Sequence, residues 1–263
     1  MNIIEILRRF KEDKIGIHEA EKQIKLFEIS RVGDFGVVDI TRENRAGIPE
    51  VVYGENKSKE QLNRIVDDIL KNNGRCIITK LNEDKIDLIE LGFEKRYIVE
   101  VFRDAGVVVI KDKDFRLLSG GKIAVISAGT SDVPVAREAE VMAREMGCEV
   151  YSYFDIGVAG IHRLFPAIRD IIENDVDSVV VAAGMEGALP SVVAGLIDIP
   201  VIGLPVSSGY GFHGKGETAL FSMLQSCSPG LSVVNIDNGF GAGVFAALIA
   251  NRVEKFRKES GLQ

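Results

Sequence analysis

Among the residues of this chain whose types could do chemistry are three cysteines and a few carboxylates and hydroxyls in glycine-rich loops. Cys227 stands in Ser226-Cys227-Ser228-Pro229-Gly230, where an amphipathic helix stops and an apolar strand begins. A thiolate is nucleophilic near neutral pH and leaves readily, which a serine oxygen does not. A single cysteine can equally be inert. The short polar turn, closed by Pro229-Gly230, keeps the sulfur out of a packed core and favours a reactive role. Chain order puts this turn at the opposite end of the sheet from the strand-end loops described next. A neighbouring subunit would have to bring the two together. Cys76, in a small apolar core, and Cys148, in "EMGCEV", read as buried structural thiols. Three cysteines at wide spacing form neither a disulfide framework nor a metal cage on their own.

Glu186 lies in "AAGMEGALPS", between glycine and the small residues that open a helix. There it is either a partner for the helix dipole or a general base. Ser131 and Asp132 in "AGTSDVP" are either an N-cap or part of an anion site using the same helix amides. "SSGYGFHGKGE" offers Ser207, Ser208, Gly209, Gly211, Gly214, Lys215 and Gly216. Its amides can turn inward around an anion, with Lys215 adding charge, or the segment can be a flexible lid. It lacks the P-loop pattern. His162 and Arg163 begin a helix, as ordinary surface residues or as ligands of the same pocket.

The elements that must position these residues are regular from Lys122 onward. Strands "KIAVISAG", "EVYSYFDIG", "SVVVAAG", "PVIGLPVSS" and "LSVVNID" alternate with helices over 132–146, 162–174, 188–197, 216–225 and 241–258. Strands apolar on both faces, alternating with helices, predict an α/β fold, a doubly wound five-stranded parallel sheet. Ligands of such sheets bind beyond the carboxyl ends of the strands, where the loops above converge. Residues 1–115 predict a smaller α+β domain: helices over 3–12 and 18–30, short strands at "VVDI" and "PEVVYG", and a helix in "SKEQLNRIVDDILKNNG" closed by Gly74. The strand "RCIITKL", a short helix and strands near 96–101 and 107–111 follow. Residues 113–121 read as the linker and 121–258 as the catalytic domain.

Composition bounds the rest. Hydrophobic residues at 46% allow a sizeable core. A net charge of -7 argues against nucleic acid as partner. No apolar run is long enough to span a membrane, and MNIIEILRRF lacks the apolar centre of a signal peptide. The expected location is the cytoplasm.

The strand-end loops resemble the aminoimidazole ribonucleotide carboxylase (PurE-like) superfamily of purine synthesis, with its flavodoxin-like sheet. "AGTSDVPVAREAEVMAREMG" is similar to its phosphate-binding Ser-Asp segment, and "GIHRLFP" to its Ala-His-Arg segment. "AAGMEGALPSVVAG" is similar to its Gly-Ala-Leu-Pro loop, and "LFSMLQSCSPGLSV" to its Gln-Met-Pro turn. Two positions depart: Ala188 stands where the purine enzymes carry a histidine before Leu-Pro, and Cys227 where they carry the methionine. Both departures, and the first half of the chain, resemble the LarB family of nickel-pincer cofactor synthesis. "VVDITRENRAGIPEVVYGENKS", "SSGYGFHGKGETAL" and "SCSPGLSVVNIDNGFGAG" carry that likeness nearly end to end.

The resemblance implies a carboxylase/hydrolase. It would convert nicotinic acid adenine dinucleotide and CO2 or bicarbonate to pyridinium-3,5-biscarboxylic acid mononucleotide and AMP. It implies Cys227 as nucleophile on the pyridinium ring and Glu186 as base. Ser131, Asp132, His162, Arg163, Ser207, Ser208, Gly209 and Lys215 are expected to bind phosphates and sugars, with Arg42 and Arg45 contributing from the N-terminal domain. No tightly bound cofactor is expected, and the metal question, including assistance by Mg2+, stays open. The expected assembly is a homo-octamer, as in the related carboxylases. A purine-pathway carboxylase or mutase and a non-catalytic nucleotide-binding module are the alternatives.

Overall fold

The computed structural model describes residues 3–25, 30–32, 36–39, 42–211 and 214–261. They form two compact units: residues up to Val101 with Val108–Phe115, and Phe102–Val107 with residues from Arg116 onward.

In the first unit, α1 (Ile3–Lys11) and α2 (Ile17–Lys25) precede a short antiparallel pair, β1 (Ser30–Val32) and β2 (Gly36–Val38). The helix expected over 18–30 ends sooner, because Ser30 already pairs with Val38 in that ladder. Residues 26–29 of that expectation, and Ile40 and Thr41 of the LarB-like stretch, lie outside the described residues. A five-residue helix not expected from the sequence, α3 (Arg42–Ala46), follows and leads to β3 (Val51–Tyr53). It is too short and too charged to show an apolar period. Helix α4 (Lys59–Asn73) starts at a reciprocal cap between Ser58 and Gln61 and stops at Gly74, whose φ of 66° suits glycine. Its face Leu62, Ile65, Val66, Ile69 and Leu70 is buried. With β4 (Arg75–Thr79), α5 (Glu83–Phe93), β5 (Ile98–Phe102) and β6 (Val107–Lys111), a four-stranded mixed sheet of order β3-β4-β6-β5 forms. Cys76 is buried within its core.

The second unit is the expected doubly wound sheet. Strands β7 (Lys122–Ser127), β8 (Glu149–Tyr153), β9 (Ser178–Ala183), β10 (Val201–Pro205) and β11 (Leu231–Val233) lie in the order β11-β10-β9-β7-β8. All four neighbouring pairs are parallel. The order reverses between β7 and β9, which opens a crevice at their carboxyl ends. Helices α6 (Val133–Glu145) and α10 (Gly239–Ser260) cover one face. They approach closely: a Cβ on Gly243 would stand 2.3 Å from the carbonyl oxygen of Ala139. Helices α7 (Leu164–Glu173), α8 (Leu189–Ala194) and α9 (Glu217–Leu224) cover the other face. There Leu164, Ile171, Leu189, Val193 and Met223 pack on Ala124, Ile126, Val179 and Val181. Alternate residues of β9 therefore face opposite helix layers, and the strand is buried throughout.

Several expected boundaries move. The strand expected over 149–157 stops at Tyr153, because the Asp155 amide donates to Ser127 Oγ rather than to the ladder. A 3-10 segment, Val158–Arg163, precedes α7, so that helix starts at Leu164 rather than 162. Helix α8 ends at Ala194. β11 ends at Val233, short of the 237 expected. Among the described residues, no helix is long and apolar enough to cross a membrane.

Candidate active site

Every strand of the second unit except β11 runs into a loop that carries an expected site residue. Ser127, at the end of β7, is fully buried after the apolar run Ile123–Ile126. Its hydroxyl accepts the Asp155 N–H at 3.1 Å, fixing the loop after β8 with Asp155 at a left-handed φ of 59°. Asp155 accepts from Arg163 at 3.0 Å, and Arg163 also folds against Gly160, so the residue ends on its own loop. His162 beside it is exposed.

Asp132 is buried at 4% exposure, a costly place for a carboxylate unless its oxygens are paired. One oxygen accepts the Gly129 N–H at 2.9 Å and the other accepts the Ser208 hydroxyl. The carboxylate thus closes the 3-10 turn Thr130–Asp132, and α6 itself has no side-chain cap. Asp132 ties the loop after β7 to the loop after β10, across the reversal in strand order. Gly184 makes room for this contact: a Cβ there would meet Ser208 Oγ at 2.5 Å and Asp132 Oδ1 at 3.1 Å. Ser131 stays exposed at the rim.

Glu186 rides on the turn after β9, exposed, between Met185 at φ 47° and Gly187 at φ 62°. A left-handed methionine is strained, and such strain concentrates at functional sites. Gly187 is pinned because a Cβ would stand 2.7 Å from the Ala219 carbonyl of α9. Met185, Glu186, Gly209, Tyr210, Gly214 and Thr218 are among the residues that line a cavity of about 320 Å3. The loop over it holds Lys215 at φ 61° and Gly216 at φ 83°. Ser207 donates its N–H to Asp237 at 2.8 Å, so the loop after β11 braces it. Phe212 and His213 of this loop lie outside the described residues.

Ser208, Gly209 and Asp132 therefore come together, with Glu186 on the loop after β9 and Lys215 further along the loop that carries Ser208. Cys227 does not line that cavity. It is the exposed one of the three cysteines, in a turn between α9 and β11. Arg42 and Arg45 belong to the first unit, where Arg42 pairs with Glu50 at 3.2 Å and Arg45 with Asp39. Residues the sequence reading did not single out are Ser127, Asp155, Gly184 and Asp237. The one signal for them was a polar or glycine residue ending each apolar strand. Burial pushes the Cys148 thiol up to about 12, with Asp177 adding to the shift. Burial raises the Cys76 thiol further. Among the described residues, no three His, Cys, Asp or Glu side chains converge as a metal group.

The AIR carboxylase family model matches residues 122–260, the whole of the sheet and its loops. The chain belongs to the AIR carboxylase family. A second model, the LarB/PurE-like N-terminal domain, matches residues 29–112, which makes the chain a LarB-like member of that superfamily. An uncharacterized protein of Methanocaldococcus jannaschii is 45% identical over 97% of this chain and 99% of its own length. The N5-carboxyaminoimidazole ribonucleotide mutase of the same organism is 34% identical over 52% of this chain and 84% of its own length. The mutase of that name from Thermotoga maritima is 30% identical over 49% of this chain and 74% of its own. The match to the mutases thus spans about half of this chain, whereas the match to the uncharacterized Methanocaldococcus jannaschii protein runs nearly end to end.

Proposed function

We propose that this AIR carboxylase-family protein carboxylates the pyridinium ring of nicotinic acid adenine dinucleotide and cleaves its phosphoanhydride. The products are pyridinium-3,5-biscarboxylic acid mononucleotide and AMP. The observation that carries this reading is Cys227, exposed in a polar turn of a chain that matches the LarB/PurE-like N-terminal model. A pyridinium carbon beside the nitrogen is electrophilic, but its neighbour is too electron-poor to attack CO2. The Cys227 thiolate adds to the first carbon, dearomatising the ring into an enamine. The adjacent carbon then uses the enamine electron pair to bond CO2. Glu186 takes the proton from that carbon, the electron pair returns to the ring, and the carbon–sulfur bond breaks to give back the thiolate. Water supplies the atoms for cleavage of the phosphoanhydride.

Ser131, Asp132, His162, Arg163, Ser207, Ser208, Gly209 and Lys215 hold phosphates and sugars in this reading, on helix-start and glycine-loop amides. Because Cys227 is not among the residues lining the cavity beside Glu186, the complete site takes its thiol from a second copy of the chain. The exposed Phe221 and Leu224, on the helix that leads to the turn, supply apolar surface for that association. A purine-type mutase is the second reading, favoured by the relatives of that name.

Incubation with the dinucleotide and bicarbonate, followed by native mass spectrometry, tests the proposal. A covalent adduct on Cys227 and release of AMP are expected. Conversion of carboxyaminoimidazole ribonucleotide without reaction on the dinucleotide would select the mutase.

A further inference from the structure

We infer that Ser191 is a positioning residue for Cys227: it holds the cysteine turn against α8 through a three-serine hydrogen-bond staple. The inference rests on the reaction proposed above. The Ser191 hydroxyl donates to Ser226 Oγ at 2.8 Å. Ser226 Oγ also accepts the Ser228 N–H at 3.1 Å. The Ser228 hydroxyl returns to the Ser191 carbonyl at 2.8 Å. Cys227 lies between the two serines, so the residues on either side of it are tied to one helical position.

The arrangement is not what the local backbone requires. Pro229 and Gly230, the latter at φ 89°, already bend the chain, and the bond between Ser226 and Ser228 is local, so neither calls for a bond to α8. A serine inside a helix ordinarily returns its hydroxyl to a carbonyl one turn back, whereas Ser191 directs it sideways to the turn. Its carbonyl still accepts the Gly195 N–H at 3.2 Å, so it serves both α8 and the staple. With both acceptor positions of Ser226 filled, its own proton is the one group it has left to donate. The consequence is geometric. α8 is anchored in the core by Leu189 and Val193, so the staple ties the turn that carries the thiol to a packed helix and fixes the direction in which the chain presents its sulfur. A covalent step demands such registration, since small misplacement of the reacting atom costs large factors in rate.

Ser191→Ala removes the hydroxyl and favours the helix, and Ser191→Thr keeps a hydroxyl. In the full chain without ligand, Ser191→Ala should raise amide hydrogen exchange at Ser228 about tenfold while strand amides keep their protection. Alkylation of Cys227 by iodoacetamide should be no slower, since the thiol is freed rather than buried. With the dinucleotide present, the maximal rate of adduct formation should fall about tenfold or more at unchanged half-saturating concentration. Ser191→Thr should restore both, and Ser228→Ala, which cuts the staple from the other side, should repeat the loss. Unchanged exchange at Ser228 overturns the inference. So does faster exchange with an unchanged adduct rate, which would leave the staple purely structural. If the wild-type protein forms no adduct at all, the carboxylase reading fails instead, and exchange at Ser228 still decides whether Ser191 holds the turn.

Discussion

Glu186 and Cys227 differ in how their roles depend on neighbours. Glu186 stands on a strained turn beside a cavity, so its carboxylate is presented rather than packed. Glu186→Gln keeps the shape and removes the base. It should leave adduct formation intact and trap a carboxylated, cysteine-linked species, read as an added mass of ligand and CO2. Cys227→Ser should abolish the adduct while retaining dinucleotide affinity, measured by calorimetry, because oxygen is neither as nucleophilic nor as good a leaving group. The buried cysteines make internal controls. The Cys148 thiol titrates near 9.0 when exposed and at about 12 in the fold. Below 9 both states are protonated and nothing is lost. Above 9 only the unfolded state releases its proton, so stability falls as pH rises toward 12. Cys148→Ala should flatten that alkaline decline in urea midpoints. At this scale the sequence shows Cys227 and Glu186, because their types stand out in turns. It does not show the Ser208–Asp132 bond, which joins residues 76 apart and exists only once the strand order reverses.

The elements of the second unit were readable wherever an apolar run was buried on both faces, as in "SVVVAA". The pattern misleads where a side chain takes the backbone out of the ladder. Ser127 captures the Asp155 amide and ends β8 four residues early, and no local pattern announces a partner 28 residues away. Small residues in α10 were equally silent about their purpose. Gly239 and Gly243 exist because α6 lies against them: added Cβ atoms would meet the Val135 carbonyl at 2.4 Å and the Ala139 carbonyl at 2.3 Å. Backbone atoms cannot swing aside as a side-chain tip can. Gly243→Ala should therefore separate the two helices and lower stability by about 1–3 kcal/mol, read from chemical unfolding, even though alanine is the better helix former. An unchanged midpoint would mean that the helices slide at no cost.

For the whole molecule, the proposed chemistry has a thiol on one side of α8 and the glycine-loop cavity beside its start. If one chain reaches the other's cavity with Cys227, single variants should complement each other. Cys227→Ser lacks only the thiol and Glu186→Gln only the base. When the two are unfolded together and reassembled, chains mix at random, and about a quarter of the sites pair an intact thiol with an intact base from different chains. Free product should then form at about a quarter of the wild-type rate, although each variant alone forms none. Light scattering on the same sample should report an oligomer, an octamer being the expected size. Association should weaken when the exposed Phe221 and Leu224 are replaced by serine, and product should fall with it, because the apolar surface and the thiol lie on the same helix and turn. Mixed chains that stay inactive while remaining oligomeric would place thiol and base in one subunit. A closing movement of the cysteine turn, rather than a second copy, would then have to complete the site.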